Sequence, residues 1–289
     1  MNLDADVIIV GSGPGGCSAA YFLRAQGCRV LILEQKKLPR YKTCAGGVPD
    51  VGLDLFPFSF DRVIEQKIRR FSCVFGPSIV TMDVPDRTLS MVMRDRFDQF
   101  LLEHSRAEVG EKSRVICLTQ DEHKVVVSTA RGKTFRARYL IGADGHNSRV
   151  AAVTGLGNGR RNSLALQAET TVDRDTLRSF QGRLLAGFNV LPSGYYWIFP
   201  KSDHLSVGIG ALKPGKQPLR KILQEQMARF DIDLSKSRTR AYPLPVFSGL
   251  AKVHSGRVLL VGDAAGLVDP YTGEGIRHAL FSGMAAAET

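Results

Sequence analysis

The sequence lacks any apolar run long enough to cross a membrane as a helix. Such a helix needs about 20 consecutive apolar residues, and no stretch of these 289 residues approaches that length. The N-terminus is also unlike a secretory leader, because its first charged residues are acidic and it enters a strand-like stretch at once. These absences predict a cytoplasmic protein that is at most peripheral to a membrane.

Cysteine pairs with metal-binding spacing are missing as well. The five cysteines are odd in number and widely spaced, with no Cys-x-x-Cys pair and no Cys/His cluster. We therefore predict no metal site and reduced thiols. Cys44 stands apart from the others because it lies in a motif described below.

Acidic residues are scarcer than basic ones, at 28 against 39, which gives a net charge of +11. A basic surface attracts phosphates, anionic lipid headgroups or nucleic acid. No nucleic-acid motif and no basic stretch with interleaved aromatic residues is present, so we expect no nucleic-acid partner. A diphosphate ligand, peripheral contact with a membrane and a plain solvated surface all stay open, and nothing indicates the oligomeric state.

A strand–helix–strand pattern opens the chain. Apolar residues predict strands over 6–10 and 29–33, the second ending in Glu34, and a helix over 17–26. A Gly-x-Gly-x-x-Gly turn joins the first strand to the helix and contains Gly11, Gly13, Gly15 and Gly16.

The glycines of this turn suit a bound dinucleotide. Gly11 permits the tight turn, Gly13 lets the backbone approach a pyrophosphate, and Gly16 lets the helix pack closely on the strand. The start of the helix offers free N–H groups and a partial positive charge to the phosphates. Glu34 stands where a carboxylate accepts ribose hydroxyls and disfavours a 2′-phosphate, which predicts FAD or NAD rather than NADP.

Later segments add two Asp-containing turns. A three-stranded meander ends in Gly142-Ala143-Asp144-Gly145 and is predicted over residues 114–120, 124–129 and 134–141. An apolar strand near the C-terminus ends in Gly262-Asp263, and ligands of open α/β sheets bind at such strand ends. A last helix begins near Gly275 and Ile276.

These motifs together resemble the FAD-dependent hydroxylase superfamily, whose best-known members are aromatic monooxygenases of the para-hydroxybenzoate hydroxylase type. The resemblance implies that Asp263 holds the ribityl chain of FAD, and that Asp144 and Gly145 lie between FAD and the path of NAD(P)H. The last helix would point its N-terminus at the flavin and favour negative charge on the reduced ring. Further cofactor contacts are implied for Arg94, Val115, Gly275 and Ile276. For Arg94, a surface helix start with mixed charges is the alternative interpretation.

Two other segments resemble the geranylgeranyl reductase family. Residues 42–48, Lys-Thr-Cys-Ala-Gly-Gly-Val, are similar to its Cys-Gly-Gly loop, with an alanine inserted after the cysteine. Residues 195–201 contain its complete Tyr-x-Trp-x-Phe-Pro-Lys pattern. The resemblance runs across nearly the whole chain. It implies FAD contacts from Cys44, Ala45 and Gly47, and catalytic roles for Cys44, Tyr195 and Trp197.

The predicted fold class is α/β. It combines a Rossmann-type FAD-binding domain of the para-hydroxybenzoate hydroxylase kind with an inserted antiparallel-sheet substrate domain. We assign residues 1–150 and 256–289 to the FAD-binding domain and 151–255 to the mainly β substrate domain. Within the insertion we expect strands over 164–172, 184–190, 195–200 and 205–212, and a helix over 217–230. Relatives continue past the last helix, so the C-terminal part of the FAD-binding domain is expected to be truncated at Thr289.

The family resemblance implies reduction of carbon–carbon double bonds in an isoprenoid chain, with NADPH or another donor reducing FAD. Tyr195, Trp197 and Phe199 alternate along a strand, so one face carries three rings that can bury a prenyl chain at about 0.8 kcal/mol per methylene. A plain core role for these rings is the alternative. Because an isolated alkene is not electrophilic, hydride transfer needs a proton donor. Cys44 is the candidate, and packing beneath the flavin is its alternative role.

Other functions stay open at this stage. An aromatic monooxygenase using NAD(P)H and oxygen would share every cofactor motif. A flavin-binding fragment without turnover would fit the early end of the chain. A halogenase is disfavoured because its Gly-Trp-x-Trp-x-Ile-Pro pattern is absent, and a lipid-surface binding protein would leave the FAD motifs without a purpose.

Overall fold

The computed structural model describes residues 3–157, 161–213, 215–249 and 251–289. Contacts divide the chain into two units, and each is described by itself. Unit 1 comprises Met1–Tyr41, Asp95–Arg161 and Pro245–Thr289, and unit 2 comprises Lys42–Arg94 and Asn162–Leu244. No helix in the described ranges is long and apolar enough to cross a membrane.

A six-stranded sheet forms the centre of unit 1, with strand order β18-β19-β12-β1-β2-β8. Its strands are β1 (Val7–Val10), β2 (Val30–Leu33), β8 (Glu108–Gly110), β12 (Tyr139–Gly142), β18 (His254–Ser255) and β19 (Val258–Leu260). All neighbouring strands pair in parallel except β18 with β19. Every residue of β1 and β2 is buried, as expected for parallel strands covered on both faces.

Two helices cross closely on this sheet. The helices of unit 1 are α1 (Pro14–Ala25), α3 (Arg94–Ser105, beginning at the unit boundary), α4 (Arg149–Thr154) and α7 (Ile276–Glu288). A Cβ added to Gly283 of α7 would lie 2.3 Å from the carbonyl oxygen of Gly15 in α1, so the crossing requires glycine. Ser18 Oγ donates to Leu280 O at 2.7 Å across the same contact. The two ends of the chain are thereby joined.

The predicted single strand over residues 134–141 is wrong. The chain instead forms two strands, β11 (Thr134–Ala137) and β12, on either side of Arg138. β11 completes a three-stranded sheet with β9 (Val115–Gln120) and β10 (Val125–Thr129), whereas β12 pairs with β1. The strand changes sheets because the N–H groups of Arg138 and Tyr139 both donate to Asp6 O, at 3.0 and 3.2 Å.

Unit 2 is built on a seven-stranded sheet with strand order β17-β13-β16-β15-β14-β5-β6. The strands are β5 (Arg70–Phe75), β6 (Ser78–Asp83), β13 (Arg161–Thr170), β14 (Arg183–Phe188), β15 (Gly194–Pro200), β16 (Leu205–Ala211) and β17 (Arg240–Val246). A small second sheet contains β3 (Gly47–Pro49), β7 (Leu89–Val92) and β4 (Ile64–Ile68). The helices are α2 (Asp50–Leu53), α5 (Arg174–Ser179) and α6 (Leu219–Ala228).

The unit boundaries differ from the predicted division at residues 151 and 255. Residues 42–94, which the sequence placed with the FAD-binding domain, belong to unit 2. The cause is the pairing of β5 with β14, which runs in parallel from Arg70 opposite Arg183 to Phe75 opposite Phe188. A pairing across more than a hundred residues leaves no local sequence pattern.

The large sheet has two different faces. Tyr196 and Ile198 of β15 point to the back face, where they join a buried core that includes Leu223 and Met227 of α6. Tyr195, Trp197 and Phe199 therefore point to the opposite side, which we call the front face. The predicted alternation along residues 195–199 is thus confirmed, with one set of side chains in the core.

Candidate functional site

Four neighbouring parallel strands of unit 1 end at one edge of the sheet. β19 leads to Asp263, β12 to Asp144, β1 to the glycine turn and β2 to Glu34. The carboxyl ends of parallel strands are where ligands bind in open α/β sheets. Residues separated by more than two hundred positions are therefore brought to a single edge.

The glycine turn is closed too tightly for side chains. Gly11 has φ of +103°, and a Cβ there would lie 2.4 Å from Ala143 O. A Cβ on Gly16 would lie 2.1 Å from Gly11 O. Helix α1 starts after Gly13 with no side-chain cap from the described residues and no acid in its first turn. Its free N–H groups thus fit the pyrophosphate of FAD.

Glu34 anchors the turn from the next strand. Its Oε2 accepts hydrogen bonds from Ser12 Oγ at 2.8 Å and Arg40 Nε at 3.2 Å, and its Oε1 accepts from Lys36 N at 2.9 Å. Burial opposes ionisation, but the charge of Arg40 and the hydrogen bonds from Lys36 and Ser12 outweigh it, so the pKa of Glu34 is lowered. Oε2 also accepts from Ser12 N at 3.2 Å. A carboxylate has about two acceptor positions on each oxygen, and Oε1 accepts a single bond among the described residues, so the position open to a ribose hydroxyl is on Oε1.

Arg40 is a site residue that the sequence analysis missed. It pairs with Glu34 and also with Asp98 of α3, at 3.3 Å, and its side chain is only 12% exposed. Its position in a loop after the βαβ unit, outside any recognisable motif, gave no signal. Its effect is to hold the carboxylate of Glu34 in place.

Asp144 has a structural role in addition to its predicted position near FAD. Its carboxylate accepts hydrogen bonds from Ser148 Oγ and Arg149 N, both at 2.6 Å, which fixes the start of α4. Desolvation outweighs these bonds and raises the pKa of Asp144. Gly145 beside it has φ of +79° and nothing within 4 Å of an added Cβ, so the backbone there is open to a ligand.

Asp263 is the carboxylate best disposed to take a ligand. It is partly buried at the end of β19, and it makes no side-chain hydrogen bond within the part of the chain that the structure describes. A Cβ on Gly275 would lie 3.5 Å from its Oδ1, which places the start of α7 beside it. Ile276, the first residue of α7, is buried. These positions suit the predicted contact with the ribityl chain.

Two further residues that were predicted to contact the cofactor have buried side chains. The side chain of Val115 belongs to the core of unit 1, so its backbone alone is open to a cofactor. Arg94 is 8% exposed at the first residue of α3, which makes the surface interpretation of this arginine wrong. Its cofactor role stays a prediction.

The Cys44 loop of unit 2 is held through its carbonyl groups. Gln167 Nε2 donates to Cys44 O at 3.1 Å, and Lys201 Nζ donates to Ala45 O at 2.7 Å. Val92 N then donates to Gly46 O at 2.8 Å. Three successive carbonyl oxygens are thus fixed, while the free thiol of Cys44 stays partly exposed.

The glycines of this loop are explained by contacts within unit 2. Gly46 has φ of +74°, and a Cβ there would lie 2.0 Å from Val92 O and 2.8 Å from Lys201 Nζ. A Cβ on Gly47 would approach Phe199 Cε2 at 3.2 Å. Close approach of FAD is therefore not needed to account for either glycine, although the predicted contact of Gly47 with FAD is compatible with these distances.

Lys201 and Gln167 were not among the predicted site residues. Lys201 is fully buried and donates to Val92 O at 3.0 Å as well as to the loop. A lysine at the end of an aromatic strand was the available signal. Gln167 gave none, because its role depends on the pairing of β13 with β16.

An aromatic row crosses the front face of the large sheet. Ring centroids are 5.9 Å apart for Tyr195 and Trp197 and 6.3 Å apart for Trp197 and Phe199. Trp197 lies over Gly208, where a Cβ would be 2.1 Å from the indole ring. Its Nε1 is buried without a hydrogen-bond partner among the described residues. The row continues through Phe188, whose ring is 5.9 Å from that of Tyr195.

The chain matches the FAD binding domain family over residues 4–285. Geranylgeranyl diphosphate reductase of Synechocystis sp. is 30% identical over 98% of this chain and 74% of its own length. The chloroplastic geranylgeranyl diphosphate reductase of Oryza sativa subsp. japonica is 32% identical over 98% of this chain, which spans 65% of that protein. A solved geranylgeranyl bacteriochlorophyll reductase-like protein from Thermoplasma acidophilum has a TM-score of 0.85 at 27% identity, over 98% of this chain and 77% of that one.

Proposed function

Because this chain belongs to the geranylgeranyl reductase family of FAD-dependent oxidoreductases, we propose that it reduces carbon–carbon double bonds of an isoprenoid chain. FAD, when bound and reduced by NADPH or another donor, would supply the hydride for this reaction. The substrate class is a geranylgeranyl diphosphate or a lipid that carries the same prenyl group, as named for the relatives. The basic net charge of +11 suits such anionic head groups.

The residues of unit 1 bind and orient the cofactor in this proposal. The glycine turn and the start of α1 hold the pyrophosphate, and Glu34 accepts a ribose hydroxyl. Asp263 accepts hydroxyls of the ribityl chain, since its carboxylate has no other partner in the described ranges. The N-terminus of α7 favours the negative charge of the reduced flavin.

The observation that carries the proposal is the aromatic row on the front face of unit 2. The rings of Tyr195, Trp197 and Phe199 form a continuous apolar row, in which Trp197 is buried and Tyr195 and Phe199 are partly exposed. The row lies beside the Cys44 loop, because a Cβ on Gly47 would lie 3.2 Å from Phe199 Cε2. A prenyl chain is flexible and apolar, so it gains about 0.8 kcal/mol per buried methylene on such a surface. Ring faces also stabilise positive charge that develops on the alkene carbon.

Cys44 is the proposed proton donor. Hydride addition to one alkene carbon forms the first C–H bond, and the S–H bond of Cys44 breaks to give its proton to the other carbon. Hydrogen bonds to the carbonyl oxygens of Cys44, Ala45 and Gly46 fix the backbone that carries this thiol. The double bond thereby gains two hydrogens and is reduced by two electrons.

An anaerobic assay tests the proposed function. The purified protein is reduced with dithionite, geranylgeranyl diphosphate is added, and flavin reoxidation is followed together with the product mass. We expect reoxidation without air and a gain of two hydrogens per reduced bond. Reoxidation that begins only when oxygen enters would contradict the proposal and favour a monooxygenase or a flavin-binding fragment.

Replacing Trp197 by leucine is expected to lower kcat/KM for geranylgeranyl diphosphate by about 10-fold, or ~1.4 kcal/mol, through loss of contact area on the front face. The FAD content should not change. Tyr196→Phe is the matched control, because Tyr196 faces the core and its hydroxyl has no partner among the described residues. Equal losses in both variants would mean that the row acts through stability and not through substrate binding.

Replacing Cys44 by serine is expected to slow anaerobic flavin reoxidation by substrate on the order of 10²-fold, because a hydroxyl holds its proton more tightly than a thiol. Cys117→Ser, at an exposed cysteine, is the control. Stopped-flow absorbance measures both rates. Full turnover of Cys44→Ser with normal FAD content would rule out the thiol as donor.

A further inference from the structure

A polar network lies on the large sheet beyond the aromatic row. His204 is held between two carboxylates, with Nδ1 2.6 Å from Asp203 Oδ1 and Nε2 3.1 Å from Glu169 Oε2. Glu169 Oε1 accepts hydrogen bonds from Gln167 Nε2 at 2.7 Å and from Ser206 Oγ at 3.3 Å. Five polar side chains are thus connected in a single network.

Strand register places this network on the front face. Glu169 of β13 lies opposite Ser206 of β16, and Ser206 lies opposite Phe199 of β15. Residues directly opposite each other on paired strands point to the same side. Glu169 and Ser206 therefore share a face with Phe199, and Gln167, opposite Gly208, shares it with Trp197.

The network reaches the Cys44 loop. The amide nitrogen of Gln167 donates both to Glu169 Oε1 and to Cys44 O, at 2.7 and 3.1 Å. In the opposite direction it reaches solvent, because the side chain of Asp203 is 81% exposed whereas those of His204 and Glu169 are 17% and 19% exposed. It thus connects water at the sheet rim with the loop that carries the thiol.

The His204 pair holds an exchangeable proton. An ionised carboxylate can only accept, so a histidine with a carboxylate at each ring nitrogen carries N–H on both. Burial lowers the pKa of His204, but the hydrogen bonds to Glu169 and Asp203 outweigh it and the net shift is upward. Of the other charged groups on adjoining elements, Lys201 donates to backbone carbonyls and Glu65 accepts from Ser202.

We propose that Glu169 and His204 form a proton-supply pair that returns a proton to the Cys44 thiolate between turnovers. The inference rests on the proposed function, because reduction of an alkene consumes one proton at the front face per double bond. After Cys44 has given its proton to the substrate carbon, Glu169 takes a proton from His204 Nε2 and passes it to the thiolate. His204 regains its proton from water beside Asp203. Gln167 is a positioning residue that keeps Glu169 next to the loop.

The test compares the first turnover with later ones in Glu169→Gln. Product is quenched in time under argon, with excess dithionite as the reductant and geranylgeranyl diphosphate as the substrate. We expect a first equivalent of product at the wild-type rate, because the first turnover comes before any return of a proton to Cys44, and then a steady rate lowered on the order of 10²-fold. A merely structural role for Glu169 would not produce such a burst.

A second variant and a pH profile keep the test independent of folding defects in Glu169→Gln. In the wild type the steady rate should fall as pH rises from about 6 to about 9, because His204 loses its proton as the pH passes its raised pKa. His204→Gln should be slow at every pH and lack this fall. Glu65→Gln, which removes an equal charge at the same rim, should behave as wild type.

The outcomes separate the two proposals. A wild type that makes no reduced product contradicts the proposed function itself. If the wild type is active, a Glu169→Gln steady rate within about twofold of wild type, together with a flat wild-type pH profile, overturns the proton-supply pair. A Glu169→Gln protein that is slow from its first turnover also overturns it, because Glu169 would then act in substrate binding or hydride transfer.

Discussion

Replacing Gly16 by valine is expected to give a colourless protein. A Cβ at Gly16 would lie 2.1 Å from the carbonyl oxygen of Gly11, and that oxygen belongs to the backbone of the same turn. The turn must therefore open, which withdraws the N–H groups at the start of α1 from the pyrophosphate. We expect FAD affinity to fall at least about 100-fold, or ~2.7 kcal/mol, as measured by the ratio of flavin to protein absorbance and by FAD titration.

Gly27→Asn is the matched control for this variant. Gly27 follows the same helix, has φ of +84° and has nothing within 4 Å of an added Cβ. Asparagine tolerates the left-handed conformation, so this variant should stay yellow. Normal flavin content in Gly16→Val would show that the glycine turn does not hold the cofactor, and the assignment of Gly11, Gly13 and Gly15 would fail with it.

Replacing Lys201 by methionine is expected to have the largest effect on the stability of unit 2. The ammonium group is fully buried and donates to Ala45 O and Val92 O, at 2.7 and 3.0 Å. Methionine fills a similar volume but leaves both carbonyls without this donor. Each unsatisfied buried acceptor costs about 1–3 kcal/mol, so we expect the free energy of unfolding to fall by about 3 kcal/mol. The midpoint of urea unfolding measures this loss.

The same variant should loosen the loop that carries Cys44. Thiol labelling resolved by peptide mass spectrometry should show faster modification of Cys44 in Lys201→Met, with no change at the exposed Cys117. Lys213→Met, at an exposed lysine, should change neither the unfolding midpoint nor the labelling rate. An unaltered midpoint and labelling rate in Lys201→Met would mean that the loop is held by Gln167 and Val92 without the lysine.

Local patterns predicted the cofactor half of the protein well. The apolar run before Gly11, the helix after it and the strand before Glu34 are confirmed, because each depends on residues close in the chain. The helix begins at Pro14 and not at residue 17, so Gly15 and Gly16 lie in its first turn. The start of the last helix at Ile276 is confirmed for the same reason. The sheets of residues 47–92 were missed, since their short strands find partners far away.

Long-range pairing also explains the residues that were missed at the site. Arg40 matters because it meets Glu34 and Asp98, and Gln167 matters because β13 brings it to Cys44 O. Neither contact has a spacing that could be recognised in the sequence. Gly46 lies in the loop that the family resemblance singled out, but the atoms that exclude a Cβ there, which belong to Val92 and Lys201, come from distant parts of the chain.

The sequence by itself determined the chemistry that the chain can hold. A dinucleotide site requires a glycine turn between a buried strand and a helix, an acid after the next strand, and an Asp after a late strand. Each of these features is local, so each can be recognised from a few consecutive residues. Tertiary structure alone decided which face of β15 meets the core and which carbonyls hold the Cys44 loop. It also joined His204, Glu169 and Gln167 in one network. Such contacts arise when distant strands pair, because hydrogen bonds and burial act between neighbours in space.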